Sequence, residues 1–341
     1  MKFGIALPNC CEGLEYPIPF VTFDEVVDTA VQSEQLGYDS VLANDHLTTP
    51  RYVRERFDSP PRFYEPLVTL TSCAARTSVI RLMTGVIVVP MRTPVLLAKQ
   101  VATLDQASHG RIDLGVGVGA YLEEFQAVQP AMMGTQRGEL VGEGIESLQL
   151  LWGERRASYS GKHFRFTDVE LFPKPVQTPL PIFSAGNAPA SIARAAEFGQ
   201  GWMPAGLSPE RLQTGVERLR ELSTEHGRDP AEIEVAPQVV VSIASTRARA
   251  VDAFERSQVY RHLLSLHEST LKGIDPAVHV AANLIGTPDE VSTRVEALRR
   301  AGAEHLCGLL FVAESLREMM ESVALFAKEV IPAFQKTVDR S

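Results

Sequence analysis

The chain has 341 residues, 45% hydrophobic and 22% charged, which suffices to bury a large core and excludes a disordered or membrane-embedded protein. The net charge of -9, with no segment that concentrates Lys and Arg, argues against a nucleic-acid or anionic-membrane surface. The apolar start from Phe3 to Pro8 is too short for a signal-peptide core, and Cys10, Cys11, Cys73 and Cys307 show neither a CxxC pair nor a metal-ligand spacing, so a reducing, cytoplasmic setting without a metal is expected.

A strand over Lys2–Leu7 leads to a helix that Thr22 and Glu25 open as a capping box and Gly37 ends. The second strand is Tyr38–Ala43, followed by a Pro- and Arg-rich loop through Pro61 and a helix from Pro66. Ile80–Pro90 is almost continuously apolar, the mark of a parallel strand buried on both faces. Thr93 and Pro94 open the next helix, and the strand Arg111–Val118 and a helix over Glu139–Leu151 follow. A small hairpin around Gly161 interrupts the rhythm. Strands at Pro181–Ala185, Gly201–Pro204 and Glu234–Ala244 come next, then a helical second insertion over Thr246–Val280. Thr287 to Glu290 form another capping box, and the strand His305–Val312 precedes a last helix from Ser315 to about Phe334.

Eight strands alternating with eight helices require a parallel sheet with right-handed crossovers. At this length they close as a single (β/α)8 TIM barrel, with insertions after strands 4 and 7 and residues 1–341 as one domain.

Barrel enzymes carry their chemistry just after the strands. Asp45 and His46 follow strand two, where a carboxylate beside an imidazole supplies an anchor and a group that titrates near neutrality. The run Gly115, Gly117, Gly119 is one residue short of a GxGxxG fingerprint, so it reads either as bare backbone for a planar ring or as a barrel bend. Ala185, Gly186 and Asn187 open a helix whose amides suit a phosphate, or else Asn187 simply caps it. Trp202 lies in strand six. Glu123 and Glu124, adjacent on a helix and therefore about 100° apart, read as solvated, and His262 with His267 is poor metal spacing.

The strings NDH at 44–46, EPLVTLTSCAARTSVIRLMTGVIVVPMRTPVLLAKQVATLDQASHGRIDLGVGVGA at 65–120, PKPVQTPLPIFSAG at 173–186, GW at 201–202 and GTPDEV at 286–291 resemble the luciferase-like monooxygenase superfamily, in particular its branch that uses the deazaflavin coenzyme F-420. The resemblance implies a cofactor ring at the barrel mouth beside Asp45 and His46, and a bulge at Gly85 and Val86 built with a non-prolyl cis peptide. It further implies that Gly117, Gly119 and Trp202 border the cofactor and that Ala185, Gly186 and Asn187 receive its phosphate-bearing tail. The Asp before the His favours coenzyme F-420 over FMN. Ala120 departs from the branch, because some deazaflavin sugar-phosphate dehydrogenases carry a catalytic Glu there. Asp105, Ser108, Gly110 and Arg111 belong to the string yet precede strand four, and are assigned to helix ending and packing at the barrel bottom.

The expected activity is hydride transfer between the deazaflavin and a small organic substrate, with His46 moving the proton and Asp45 fixing its orientation, under loops 47–65, 120–180 and 245–283. The alternatives are an FMN-dependent monooxygenase that uses reduced flavin from a separate reductase, and a non-catalytic flavin-binding barrel. The resemblance also implies a homodimer.

Overall fold

The computed structural model describes residues 1–268, 271–272 and 275–335. Its strands are β1 (Lys2–Ala6), β2 (Ser40–Ala43), β3 (Arg81–Thr84), β4 (Ile87–Val88), β5 (Ile112–Gly117), β6 (Ala157–Ser160), β7 (Arg165–Val169), β8 (Ile182–Ala185), β9 (Gly201–Met203), β10 (Glu234–Val235), β11 (Gln238–Ile243), β12 (Leu284–Gly286) and β13 (His305–Phe311). All but β6 and β7 join one parallel sheet in the order β10-β9-β8-β5-β3-β2-β1-β13-β11-β12, with β4 beside β5, while β6 and β7 form the expected hairpin.

The sheet curls back on itself. Backbone amides of Glu304 and Cys307 donate to the carbonyls of Val235 and Pro237, and a bridge joins Ala205 to Gln238. The fold is therefore α/β and TIM-barrel-like, and among the described residues no helix is long and apolar enough to cross a membrane. Ala6, Leu42, Met83, Phe183, Met203, Ala236 and Cys307 form one buried cluster, and a larger one includes Val41, Leu70, Val101, Ile145 and Val291 from strands and helices.

Three departures from the sequence expectations have local causes. The strand expected over Glu234–Ala244 is split into β10 and β11 because Pro237 has no amide to give to the ladder. The continuous strand expected over Ile80–Pro90 breaks at a cis Gly85–Val86 peptide and ends in a 3-10 turn, Val89–Met91. The short β12 on β11 was not expected, since three residues carry no readable period.

The helix starts follow the cap chemistry. Thr22 with Glu25 and Thr287 with Glu290 make complete capping boxes, and Glu65 accepts the Val68 amide at 2.8 Å.

At the N-terminal ends of the strands the charged groups are hydrogen-bonded within the protein. Arg111, 8% exposed, donates to the carbonyls of Ser108, Ile80, Ala74 and Thr77 and to the Thr77 hydroxyl. Arg81 grips Asp113 through two guanidinium nitrogens, and Asp105 accepts from Val176 and Gln177. Buried His305 bridges Ser40 at 2.8 Å and Glu234 at 2.9 Å, and Lys2 meets the other Glu234 oxygen. These contacts agree with the packing role expected for Asp105, Ser108 and Arg111.

Candidate active site

The opposite end opens into a cavity of about 200 Å³, lined by residues that follow β1, β2, β3, β5, β8 and β9 and by the inserted helix Gln258–Ser265. Strand alternation aims successive residues at the end of β2 in different directions, and this separates Asp45 from His46. The Asp45 carboxylate is buried. It accepts the Val88 amide at 2.9 Å and two Arg92 bonds at 3.0 and 2.7 Å, and Arg92 also meets Glu65 at 2.9 Å. Asp45 therefore ties β2 to the bulged segment and does not orient His46, contrary to the sequence expectation.

Glu124 takes that place. It is 3% exposed, accepts the Leu47 amide at 2.7 Å and the Thr48 amide at 3.2 Å, and lies 3.1 Å from His46 Nδ1. The expectation of a solvated Glu124 fails because the loop after β2 folds over the helix Leu122–Val128 and buries it. Nδ1 is thereby held and Nε2 is the remaining ring nitrogen of a residue that lines the cavity. Phe63 and Tyr121 lie against the imidazole, with centroids at 5.3 and 6.0 Å.

Gly85, Val86, Gly117, Gly119, Ala185 and Gly186 line the same cavity. At Gly117 a Cβ would come 3.0 Å from Val86, and at Gly119 2.8 Å from Val88. The absent side chains thus make room for the bulge as well as leaving backbone along the cavity wall. Gly119 also has φ +77°, which favours glycine.

Two expected cofactor residues point elsewhere. The Asn187 side chain exchanges bonds with the Ala205 backbone at 2.8 and 2.9 Å, so it fixes a loop, and the cap of the helix Pro189–Phe198 is Ala188. Trp202 is fully buried, donates to the Gly186 carbonyl at 3.0 Å and packs on Gly215 of the helix Pro209–Glu225. Its ring faces the helix layer and does not line the cavity.

Glu15 belongs to no motif that marks it in the sequence. It stands in the chain after β1, in a turn where the amides of Leu14, Glu15 and Tyr16 converge on the Cys11 carbonyl. Glu15 is 6% exposed, lines the cavity, and its Oε2 has no hydrogen-bond partner among the described residues. Burial pushes its carboxyl up to about 7, with Cys11 and His46 pulling the other way. His262 Nε2 lies 3.6 Å from Glu15 Oε1, and its Nδ1 faces the hydroxyls of Tyr121 at 3.1 Å and Tyr52 at 3.3 Å. Burial, reinforced by His46, pushes His262 down to about 3, so the ring is neutral. His267 instead meets His279 at 2.8 Å, and among the described residues no group of three or more His, Cys, Asp or Glu could hold a metal ion. The available signal for Glu15 is its place after a strand, which it shares with Asp45 and His46.

Residues 1–305 match the family model described as luciferase-like monooxygenase. The chain belongs to that family. Among curated relatives of this luciferase-like chain, a coenzyme F-420-dependent glucose-6-phosphate dehydrogenase of Kineococcus radiotolerans is 27% identical, over 90% of this chain and 92% of the relative. An FMNH(2)-dependent dimethylsulfone monooxygenase of Pseudomonas putida is 28% identical over 70% of each. The solved structure of a coenzyme F-420-dependent secondary alcohol dehydrogenase superposes with a TM-score of 0.77 at 20% identity, covering 98% of this chain and 99% of that one, and shows the shared fold. The family's oxidoreductases and monooxygenases thus include both deazaflavin and FMN users.

Proposed function

We propose that the chain is an oxidoreductase that transfers a hydride between coenzyme F-420 and a small organic substrate at this cavity. The observation that carries the reading is His46, a cavity-lining imidazole gripped at Nδ1 by buried Glu124. The residues fit the coenzyme's ring. Gly117, Gly119, Ala185 and Gly186 give a wall with almost no side chain, and Val86 stands beside it on the bulge. When bound, the coenzyme supplies the hydride-carrying carbon of its ring.

In this reading His46 gives or takes the substrate's proton at Nε2, Glu124 holds the ring in place, and Asp45 acts through Val88 and Arg92 to fix the bulge. Tyr52, Phe63, Tyr121 and His262, from the loops over the mouth, shield the site from water. The curled sheet is read as one (β/α)8 barrel over residues 1–341, with the hairpin β6–β7 and the segment 246–280 as insertions after its fourth and seventh strands. The relative matched over 90% of this chain supports coenzyme F-420, and the FMNH(2)-dependent relative supports the FMN alternative.

Calorimetric titration of the purified protein with coenzyme F-420, FMN and NADPH tests the choice. Micromolar binding of the deazaflavin, retained in His46→Ala while hydride transfer is lost, is the expected result. Preference for FMN replaces the deazaflavin reading with oxygen chemistry, and binding of none of the three overturns both.

A further inference from the structure

The cavity continues past Glu15 into a second compartment of about 100 Å³, between the chain after β1 and the inserted segment. Both compartments share Glu15, Asn44, Ala205, Gln238, His262 and Leu266, so a molecule in the second lies directly beside His46's cavity. Val239, Val240, Leu263, Leu271 and Leu310 make its walls apolar. Part of its polar lining is already committed: Asn283 accepts the Val240 amide at 2.9 Å and donates to the His279 carbonyl at 2.9 Å. Glu15 is buried with one carboxyl oxygen unpartnered among the described residues. Leaving such an atom dry costs about 1–3 kcal/mol, a cost that a ligand's polar atom would remove.

The charge of the lining narrows what that ligand is. Among the described residues no Lys or Arg lines the second compartment, whereas Glu15 does. A phosphate or carboxylate brought into the second compartment would lose its hydration, meet Glu15 and find no counter-charge. A neutral molecule with an apolar body would meet the leucine and valine walls and place a single oxygen at Glu15.

We propose that this second compartment is the substrate pocket, that it takes a small neutral molecule bearing a hydroxyl or carbonyl oxygen, and that Glu15 holds that oxygen. The term substrate rests on the oxidoreductase reading; the binding chemistry does not. Sugar phosphates, the ligand class in the name of the Kineococcus radiotolerans relative, are excluded by the same lining.

Titration of the full chain with cyclohexanone and cyclohexanol as neutral probes and glucose 6-phosphate as the anionic probe, with and without coenzyme F-420, tests this. We expect the neutral probes to bind at least ~10-fold more tightly than glucose 6-phosphate, a difference of about 1.4 kcal/mol. Glu15→Ala should weaken them by ~10-fold or more, while Glu15→Gln, which can still donate and accept, stays within about threefold. Leu263→Trp, which fills the compartment from the inserted helix, should abolish neutral-probe binding without touching Glu15. Equal or tighter binding of glucose 6-phosphate, no binding of the neutral probes, or indifference to Glu15→Ala overturns the pocket assignment. Coenzyme binding without probe binding removes this inference alone, and probe binding without coenzyme binding removes the oxidoreductase reading alone.

Discussion

The two ends of the curled sheet carry similar residue types in opposite circumstances. At the N-terminal end Arg81 with Asp113, Arg111 with its carbonyls, and Glu234 with His305 and Lys2 leave each of these charges matched. At the C-terminal end Glu15 keeps a bare oxygen, His262 is held neutral, and His46 has one nitrogen engaged. The first end satisfies its buried charges internally. The second leaves hydrogen-bonding capacity directed at a cavity, which a protein retains where a ligand completes the pairing.

The contrast is broken most strongly by substitutions that act at one end only. His46→Ala should lower kcat/KM by about 10²–10⁴-fold with an unchanged unfolding midpoint, because the ring contributes to chemistry and little to packing. An equal loss of stability would mean that His46 belongs with the structural charges. Arg81→Met should do the reverse and cost about 3 kcal/mol in denaturant unfolding by stranding Asp113, with kcat of the folded fraction unchanged.

Two glutamates sharpen it further through opposite pH dependence. Burial raises the Glu234 carboxyl, but its bond and charge pairing with His305, then Lys2, outweigh burial and hold it at about 2. Its contribution, about 3 kcal/mol, is present above the unfolded value near 4.5 and disappears as pH falls toward 2. Glu234→Gln should accordingly flatten the acid limb of stability. Glu15 is raised to about 7, so its ionisation opposes folding as pH rises from about 4.5 through 7. Glu15→Gln should leave stability unchanged at pH 4 and increase it by up to about 3 kcal/mol at pH 8. The smallest effect expected is for Glu124→Gln: about a 10-fold loss of kcat with KM nearly constant, since the amide can still accept from Leu47 and Thr48 but holds His46 less firmly.

Much of the scaffold was legible in the sequence because its signals are local. The capping boxes at Thr22 and Thr287 and the ends of most strands each lie within a few residues, and the structure reproduces them, whereas the strand expected over Ile80–Pro90 is broken at Gly85–Val86. The family string also placed the cis peptide at Gly85–Val86. The site was legible only in outline, since partner choice there is long-range. Glu124 reaches His46 across 78 positions and Arg92 reaches Asp45 across 47, separations at which no periodicity reports which carboxylate faces which base. Trp202 was misplaced for a different reason: in a three-residue strand buried throughout, no polar alternation shows which face is turned to the helices.

The most direct test of the contrast is a carbon-13 NMR titration of the glutamate carboxyl carbons in the full chain. We expect one carboxyl to titrate near pH 7, to vanish in Glu15→Gln, and to stand apart from a Glu234 signal that moves only near pH 2. If instead all glutamates titrate below pH 5, with Glu15 among them, the cavity end is as well paired as the other, and the account of an unsatisfied, ligand-directed site is contradicted.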